Sequence, residues 1–291
     1  MNHNHQAQNN TGQLEIAFFL NLGFTILEII GGIWTNSMAI VADALHDLGD
    51  SLSLGMAWFL EQYAQKEHDD RYSYGYRRYS LLGALINTLV LVGGGLVVLS
   101  QAIPRIINPE PTYVPGMIGF ALVGIAVNGL AVWRVKKGQS LNTQVVAWHL
   151  LEDVLGWAAV LVVSIILLFT NFYILDPILS ILITLYVLVN VVKNLKKTLG
   201  IFLQAVPYDV NLTKIEQEIR HIAGVQSTHH THVWSLDGDH HVLTTHVVVD
   251  DEATKAEILQ IKKEILAVAG PKDFEHITIE IEYENERCRL E

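Results

Sequence analysis

Charge is scarce in this chain. Only 17% of its 291 residues are Asp, Glu, Lys or Arg, against about 25% in an average soluble domain. Together with 51% hydrophobic residues and a mean hydropathy of +0.31, that deficit excludes an ordinary soluble globular protein. It excludes disorder as well, which needs low hydrophobicity and high net charge. Positive charge is the scarcer sign: 19 Lys and Arg stand against 30 acids, a net charge of −11. Nucleic acid is therefore excluded as a partner, because binding its phosphates needs clustered cations. Cysteine occurs once, at Cys288, so there is no intrachain disulfide and no Cys-based zinc cage. There is no G-x-x-x-x-G-K-[ST] loop to cradle a nucleotide. There is no His-Glu-x-x-His either, the pair of ligands and base that a membrane zinc protease would show.

What the chain does have is long apolar runs. A membrane helix needs about 20 mostly apolar residues at about 1.5 Å rise each. Six stretches qualify: Leu14–Trp34, Ser37–Leu60, Leu81–Ile103, Pro115–Val135, Gln144–Thr170 and Ile174–Val192. Residues 1–13, rich in Asn, His and Gln, carry no Lys or Arg. They do not form a signal-peptide n-region, so the first span is expected to be retained. The expected organisation is a polar tail over 1–13, a six-helix membrane domain over 14–204 and a small domain over 205–291. The last segment is a different material, with 17 acids, 8 Lys or Arg and eight of the 13 histidines.

Basic residues in short loops set membrane orientation. Lys66, Arg71, Arg77 and Arg78 follow span 2, Arg134, Lys136 and Lys137 follow span 4, and Lys193, Lys196 and Lys197 close span 6; the alternate loops hold only Arg105. Both termini are expected in the cytoplasm of a multi-pass protein, in a bacterial plasma membrane. The tail reads as α-β-β-α-β. Asp209 or Asn211 opens a helix to about Ala223, two β-rich runs (Val225–Leu236 and His241–Val249) flank the turn Asp237-Gly238-Asp239, a helical period spans Glu252–Ala269, and His276–Tyr283 alternates like a half-buried strand. One sheet face must cover two helices, which leaves the other free to meet a partner.

Span 2 carries charge where charge is costly. Asp43, His46, Asp47 and Asp50 fall at i, i+3, i+4 and i+7, on one helical face. Each ionised group near the bilayer centre costs about 2.5–3.5 kcal/mol even on the lenient insertion scale. Span 5 offers matching company in His149, Glu152 and Asp153. His-x-x-x-Asp places an imidazole and a carboxylate on one face, about 5–6 Å apart. Two such helices supply two nitrogens and two oxygens, a tetrahedral shell suited to Zn2+, with Co2+ and Cd2+ as competitors. Asp43, Asp47 and Glu152 are expected to orient the ligands or relay protons. Glu28, Asn87, Asn128 and Asp176, taken singly, read as packed hydrogen-bond partners. Depth counting exposes a conflict: from the outer ends of their spans His46 lies about 14 Å deep and His149 about 32 Å. An outer end of span 5 nearer Ile166 is the expected remedy.

These residues resemble the cation diffusion facilitator family, the zinc, cadmium and cobalt–proton antiporters, and within it the bacterial metal-resistance members and zinc-selective eukaryotic transporters. The segment Ser37-Met-Ala-Ile-Val-Ala-Asp-Ala-Leu-His-Asp-Leu-Gly-Asp50 is similar to the family's second-helix motif. His149-Leu-Leu-Glu-Asp153 is similar to its fifth-helix motif, Tyr74-Gly-Tyr-Arg-Arg78 to the start of its third helix, and His229-His-Thr-His-Val-Trp234 to the first strand of its C-terminal domain. The resemblance implies a homodimer in the lipid bilayer, six transmembrane helices, and a ferredoxin-like, metallochaperone-like cytoplasmic domain. It implies a transport site at His46, Asp50, His149 and Asp153, with no organic cofactor and no enzymatic step.

The resemblance also implies regulatory zinc in the tail, where His229 and His246 match ligand positions and Glu280, Glu282 and His232 lie near others. A helix histidine of the family falls at Leu259, which cannot ligate, and the loop from His68 to Tyr76 lacks the ligands of a further site. The loop Arg134–Asn142 has no histidine. Arg78 and Asp209 are expected to form an interdomain salt bridge. The function expected is export of Zn2+ in exchange for H+. A membrane zinc metalloenzyme or a metal sensor built on the same site are the alternatives, disfavoured because four protein ligands leave no open catalytic position and no signalling domain follows the tail.

Overall fold

The computed structural model describes residues 3–64, 66, 68–135, 141–270, 274–288 and 290. Lys136 and Lys137 lie outside the described residues. Six long helices come first: α1 (His3–Thr35), α2 (Met38–Ala64), α3 (Arg78–Ile107), α4 (Val114–Val135), α5 (Leu141–Phe169) and α6 (Leu175–Phe202). Helix α1 thus starts well before Leu14. By length and composition, five of the six contain a stretch apolar enough to cross a membrane, in α1, α3, α4, α5 and α6. Helix α2 has the length, at 27 residues, but carries Asp43, Asp47 and Asp50 in its first half. After α6 come α7 (Leu212–Arg220), β1 (Val225–Ser235), β2 (His241–Val249), α8 (Lys255–Ala269) and β3 (Phe274–Tyr283).

The chain divides into two compact units, residues 1–61 with 83–195, and residues 62–82 with 196–291. In the first, Ala39 and Ile40 of α2, Met117 and Ala121 of α4, and Trp157 and Val160 of α5 share one buried cluster. Gly124 of α4 leaves the space that the Trp157 ring fills; a side chain there would collide with the indole. Polar contacts suit an interior without water. Asn21 of α1 donates to Ser51 of α2 at 3.0 Å, and the Thr25 and Ser51 hydroxyls lie 3.3 Å apart.

The start of α2 is held from another helix. Asp176, in the first turn of α6, accepts from Ser37 Oγ at 2.5 Å, Met38 N at 2.7 Å and Ala39 N at 3.3 Å. Amides in the first turn of a helix have no intrahelical acceptor, and here Ser37 and Asp176 are both fully buried. Asp176 therefore fixes where α2 begins.

The second unit contains the sheet, in order β1-β2-β3. Strands β1 and β2 are antiparallel. Strands β2 and β3 are parallel, joined through α8. Side chains alternate between faces along a strand. Val233, Leu243, Val247, Val249, Ile279 and Ile281 face a core shared with Ile215 and Ile219 of α7 and Ile261 and Ile265 of α8. Asn211 caps α7 by accepting from Lys214 N, and Thr254 with Glu257 forms a capping box on α8. In β1 the register shifts between His229 and His232, where His230 adopts φ 47°. That bulge brings both Thr228 and Thr231 onto Thr245, at 2.9 and 3.0 Å. In the loop before α3, Asp69 accepts from Arg71 N, Tyr72 N and the Tyr76 hydroxyl at 2.8, 2.9 and 2.6 Å. The Tyr76 hydrogen bond is the main cause that holds the Asp69 carboxyl below its usual range, and the same bond pushes the Tyr76 phenol up to about 12.

Replacing Asp176 by Ala strands three buried donors, each worth about 1–3 kcal/mol when left unsatisfied. The thermal midpoint of the purified protein in detergent, read by tryptophan fluorescence, should fall by several degrees. Asp176→Asn, which still accepts, should fall by less.

Candidate metal centre

In the first unit, α2 and α5 bring His46, Asp50, His149 and Asp153 together. His46 Nε2 lies 4.0 Å from Asp50 Oδ2 and 3.7 Å from Asp153 Oδ1, and His149 Nε2 lies 3.0 Å from Asp50 Oδ2. The two imidazole rings are 5.6 Å apart and nearly perpendicular. Donor atoms of His46, Asp50 and His149 all fall within 4.8 Å of one another, and Asp153 Oδ1 is buried without a hydrogen-bond partner. A tetrahedral ion with bonds of about 2.0–2.1 Å puts neighbouring donors about 3.3 Å apart. The three distances given bracket that value; Asp153 lies outside the mutually close group, so its side chain must turn inward to complete a four-donor set.

The depth conflict resolves through pairing. His46 meets Asp153 and Asp50 meets His149, so four residues forward along α2 match four residues back along α5. Gly156 continues the register: a Cβ on it would lie 3.2 Å from Asp43 Oδ1. Helix α5 runs to Phe169 rather than ending near Ile166. Counting both depths from a common plane was the error, because α2 starts at the buried Asp176 cap and the register leaves the last two turns of α5 beyond that start.

Asp43 and Asp47 are buried at 5% and 6% exposure. Asp43 Oδ2 has no hydrogen-bond partner, and the Asp47 carbonyl accepts from Asn21 Nδ2 at 3.2 Å. Glu152 is exposed. Glu28 on α1 is 1% exposed, with neither carboxylate oxygen hydrogen-bonded.

The second unit holds another group: His229, His246, Glu282 and Cys288, whose donors again lie within 4.8 Å of one another. His229 pairs with His246 across β1 and β2, and His246 with Glu280 across β2 and β3. All are on the sheet face opposite α7 and α8. Glu282 reaches His229 Nε2 at 3.0 Å and His246 Nδ1 at 2.7 Å, and Glu280 lies 3.4 Å from His246 Nε2. Burial opposes ionisation of Glu282, but hydrogen bonds from His246 and Cys288 and the facing His229 hold its carboxyl below the usual range.

The residue the sequence reading passed over is Cys288. Its Sγ lies 3.7 Å from His246 Nδ1, because the chain after β3 folds back over the sheet. One thiol forbids an all-cysteine cage but not a mixed site, and its place three residues from the end of a histidine-rich tail was the available signal. His232 is exposed and outside the group. Arg78 makes no ion pair among the described residues. Asp209 instead sits 3.3 Å from His241 Nε2, and the neighbouring Arg77 pairs with Glu275 at 2.9 Å and Asp237 at 3.8 Å.

A cation efflux transmembrane domain matches residues 14–203, and a cation efflux protein cytoplasmic domain matches residues 207–284. A "Cadmium, cobalt and zinc/H(+)-K(+) antiporter" of Bacillus subtilis is 32% identical over 98% of this chain and 93% of its own length. The "Metal cation efflux system protein CzcD" of Cupriavidus metallidurans is 34% identical over 96% of this chain and 89% of its own. The "Zinc transporter ZitB" of Escherichia coli is 31% identical over 95% and 88%. A solved structure of the metal-bound C-terminal domain of the CzcD transporter, 36% identical, covers 25% of this chain and 99% of its own, with a TM-score of 0.22. The chain is an integral membrane protein of the cation efflux family, the cation diffusion facilitators, and is a transporter rather than an enzyme.

Proposed function

We propose that the chain is a secondary active exporter of Zn2+, with Cd2+ and Co2+ as alternative substrates, exchanging the metal for H+. The observation that carries this reading is the antiparallel match of the two His-x-x-x-Asp pairs, which gathers the donors of His46, Asp50 and His149 within 4.8 Å of one another and sets Asp153 Oδ1 3.7 Å from His46 Nε2. Two imidazoles favour Zn2+ over Mg2+ or Ca2+, and the absence of sulfur from the four disfavours Cu(I). The relatives' names point the same way: one is a cadmium, cobalt and zinc antiporter with H+ and K+, one a zinc transporter and one a metal cation efflux protein.

Proton coupling follows from the ligands. An imidazole must be neutral to bind metal, so protons and Zn2+ compete for His46 and His149. An unperturbed histidine titrates near about pH 6.5. Metal arriving from the cytoplasm displaces protons, and protons from outside displace metal. Two protons per Zn2+ would make the exchange electroneutral. With one proton, a net charge crosses against an inside-negative potential, at about 2.3 kcal/mol per charge per 100 mV. The termini and the 205–291 domain belong on the cytoplasmic side in this reading, as the loop charges require. The free sheet face is the surface on which two copies would meet, and His229, His246, Glu282 and Cys288 would hold a regulatory ion there.

Removing a ligand should cost more than the roughly 10–100-fold loss seen for groups behind the ligands. Asp50→Ala, Asp153→Ala, His46→Ala and His149→Ala should each reduce zinc flux into fluorescent-indicator liposomes by at least about 100-fold, with unchanged elution on gel filtration. Parental flux by Asp50→Ala would refute the assignment. Zinc flux in vesicles clamped at fixed voltage should follow an imposed pH gradient in sign and stop when it collapses; indifference to the gradient would mean a uniporter or channel. For the tail, the full chain bearing Asp50→Ala and Asp153→Ala isolates the second group. Adding Cys288→Ser or His229→Ala should weaken residual zinc binding several-fold in competition with a chromogenic chelator, whereas His232→Ala should not.

A further inference from the structure

We propose that the second unit carries a site for the phosphate headgroup of an anionic phospholipid, built around Arg71 and Arg78. The loop before α3 and residues from the sheet unit enclose a cavity of about 380 Å³, walled by residues 71–79 with Gln204, Trp234 and Leu236. No acidic residue lines it, although the chain as a whole has a net charge of −11. Three of its guanidiniums are not equivalent. Arg77 is committed to Glu275 and Asp237. Arg71 and Arg78 have no ion-pair partner among the described residues. Two uncompensated guanidiniums in one concave site form a fork for phosphate oxygens.

The occupant is identified by where the cavity lies. Arg78 is the first residue of α3, an apolar helix that runs to Ile107. Gln204 stands two residues beyond the end of α6, another apolar helix of membrane length. The cavity wall therefore includes the first residue of α3 and a residue just past the end of α6, where two apolar helices leave the bundle. Tyr72 and Tyr74 are exposed beside it, at 42% and 45%, as aromatic side chains of a membrane interface are. Next to Gln204, Leu203 is 78% exposed and Leu199 40% exposed, an apolar surface for acyl chains that a soluble phosphate would not need. Basic pockets of this kind at the cytoplasmic edge select anionic headgroups, and each cation near the surface contributes about 1 kcal/mol, or about fivefold in affinity. Trp234 belongs to β1, so a bound lipid would tie the sheet to the membrane surface through the loop.

The test uses the full purified chain in neutral detergent and needs no transport. Phosphatidylglycerol, phosphatidylcholine, inorganic phosphate and ATP are each titrated, with bound lipid counted by native mass spectrometry and stability read from the thermal midpoint. Phosphatidylglycerol should be retained and raise the midpoint, and the other three should not. Arg71→Gln and Arg78→Gln should each weaken phosphatidylglycerol binding about fivefold, while Lys262→Gln with Lys263→Gln, on α8 and outside the cavity wall, should leave it unchanged. Arg71→Lys with Arg78→Lys keeps the charge and should retain most of the binding, which guards against a folding defect in the Gln variants. Equal retention of phosphatidylcholine, a shift with ATP or phosphate instead of the lipid, or full binding by the Gln pair would each overturn the proposal.

Discussion

An ionisable side chain in the hydrocarbon interior has no water to turn to, so its partners must come from another helix. Helix α2 places Asp43, His46, Asp47 and Asp50 on one face, and no arrangement of α2 alone can satisfy them. The first unit is organised around that requirement. Helix α5 lies antiparallel to α2, in the register that sets each histidine against the other helix's aspartate. The apolar cluster of Ile40, Met117, Trp157 and Val160 holds the two helices in that register. Gly156 leaves the gap into which Asp43 fits.

Two fixed points keep the register from sliding. Asp176 pins the first turn of α2 with three hydrogen bonds. The pairing of Asn21 and Thr25 with Ser51 ties α1 to the stretch of α2 just past Asp50. Held between them, His46, Asp50 and His149 keep their donor atoms within 4.8 Å of one another, with Asp153 Oδ1 3.7 Å from His46 Nε2.

The second unit solves a different problem with similar chemistry. Its sheet has one face covered by α7 and α8 and one face left polar, and the polar face gathers imidazoles from β1 and β2 with carboxylates from β3. The bulge at His230 sets the register that puts His229 opposite His246. The returning chain end adds a thiol to a cluster already joined by hydrogen bonds and close ion-pair contacts.

The sequence by itself determined the number of long helices, the α-β-β-α-β order of the tail and the four residues that converge between α2 and α5. Those follow from periodicity, because residues four apart on a helix must share a face and apolar runs of membrane length must be helical. One cap was half legible, since Asp209 and Asn211 both offered and Asn211 is the one used; the Thr254 cap of α8 was not read, and that helix starts at Lys255 rather than Glu252. Contacts that join distant parts of the chain were not legible. Cys288 reaches His246 across 42 residues, Asp209 pairs with His241 rather than Arg78, and it is the neighbouring Arg77 that pairs with acids, Glu275 and Asp237. The relative depth of His46 and His149 was misjudged for the same reason: a helix counts its own rise faithfully but says nothing of where its neighbour begins. That offset was set by Asp176, a buried acid on a third helix, and only the packed structure could place it.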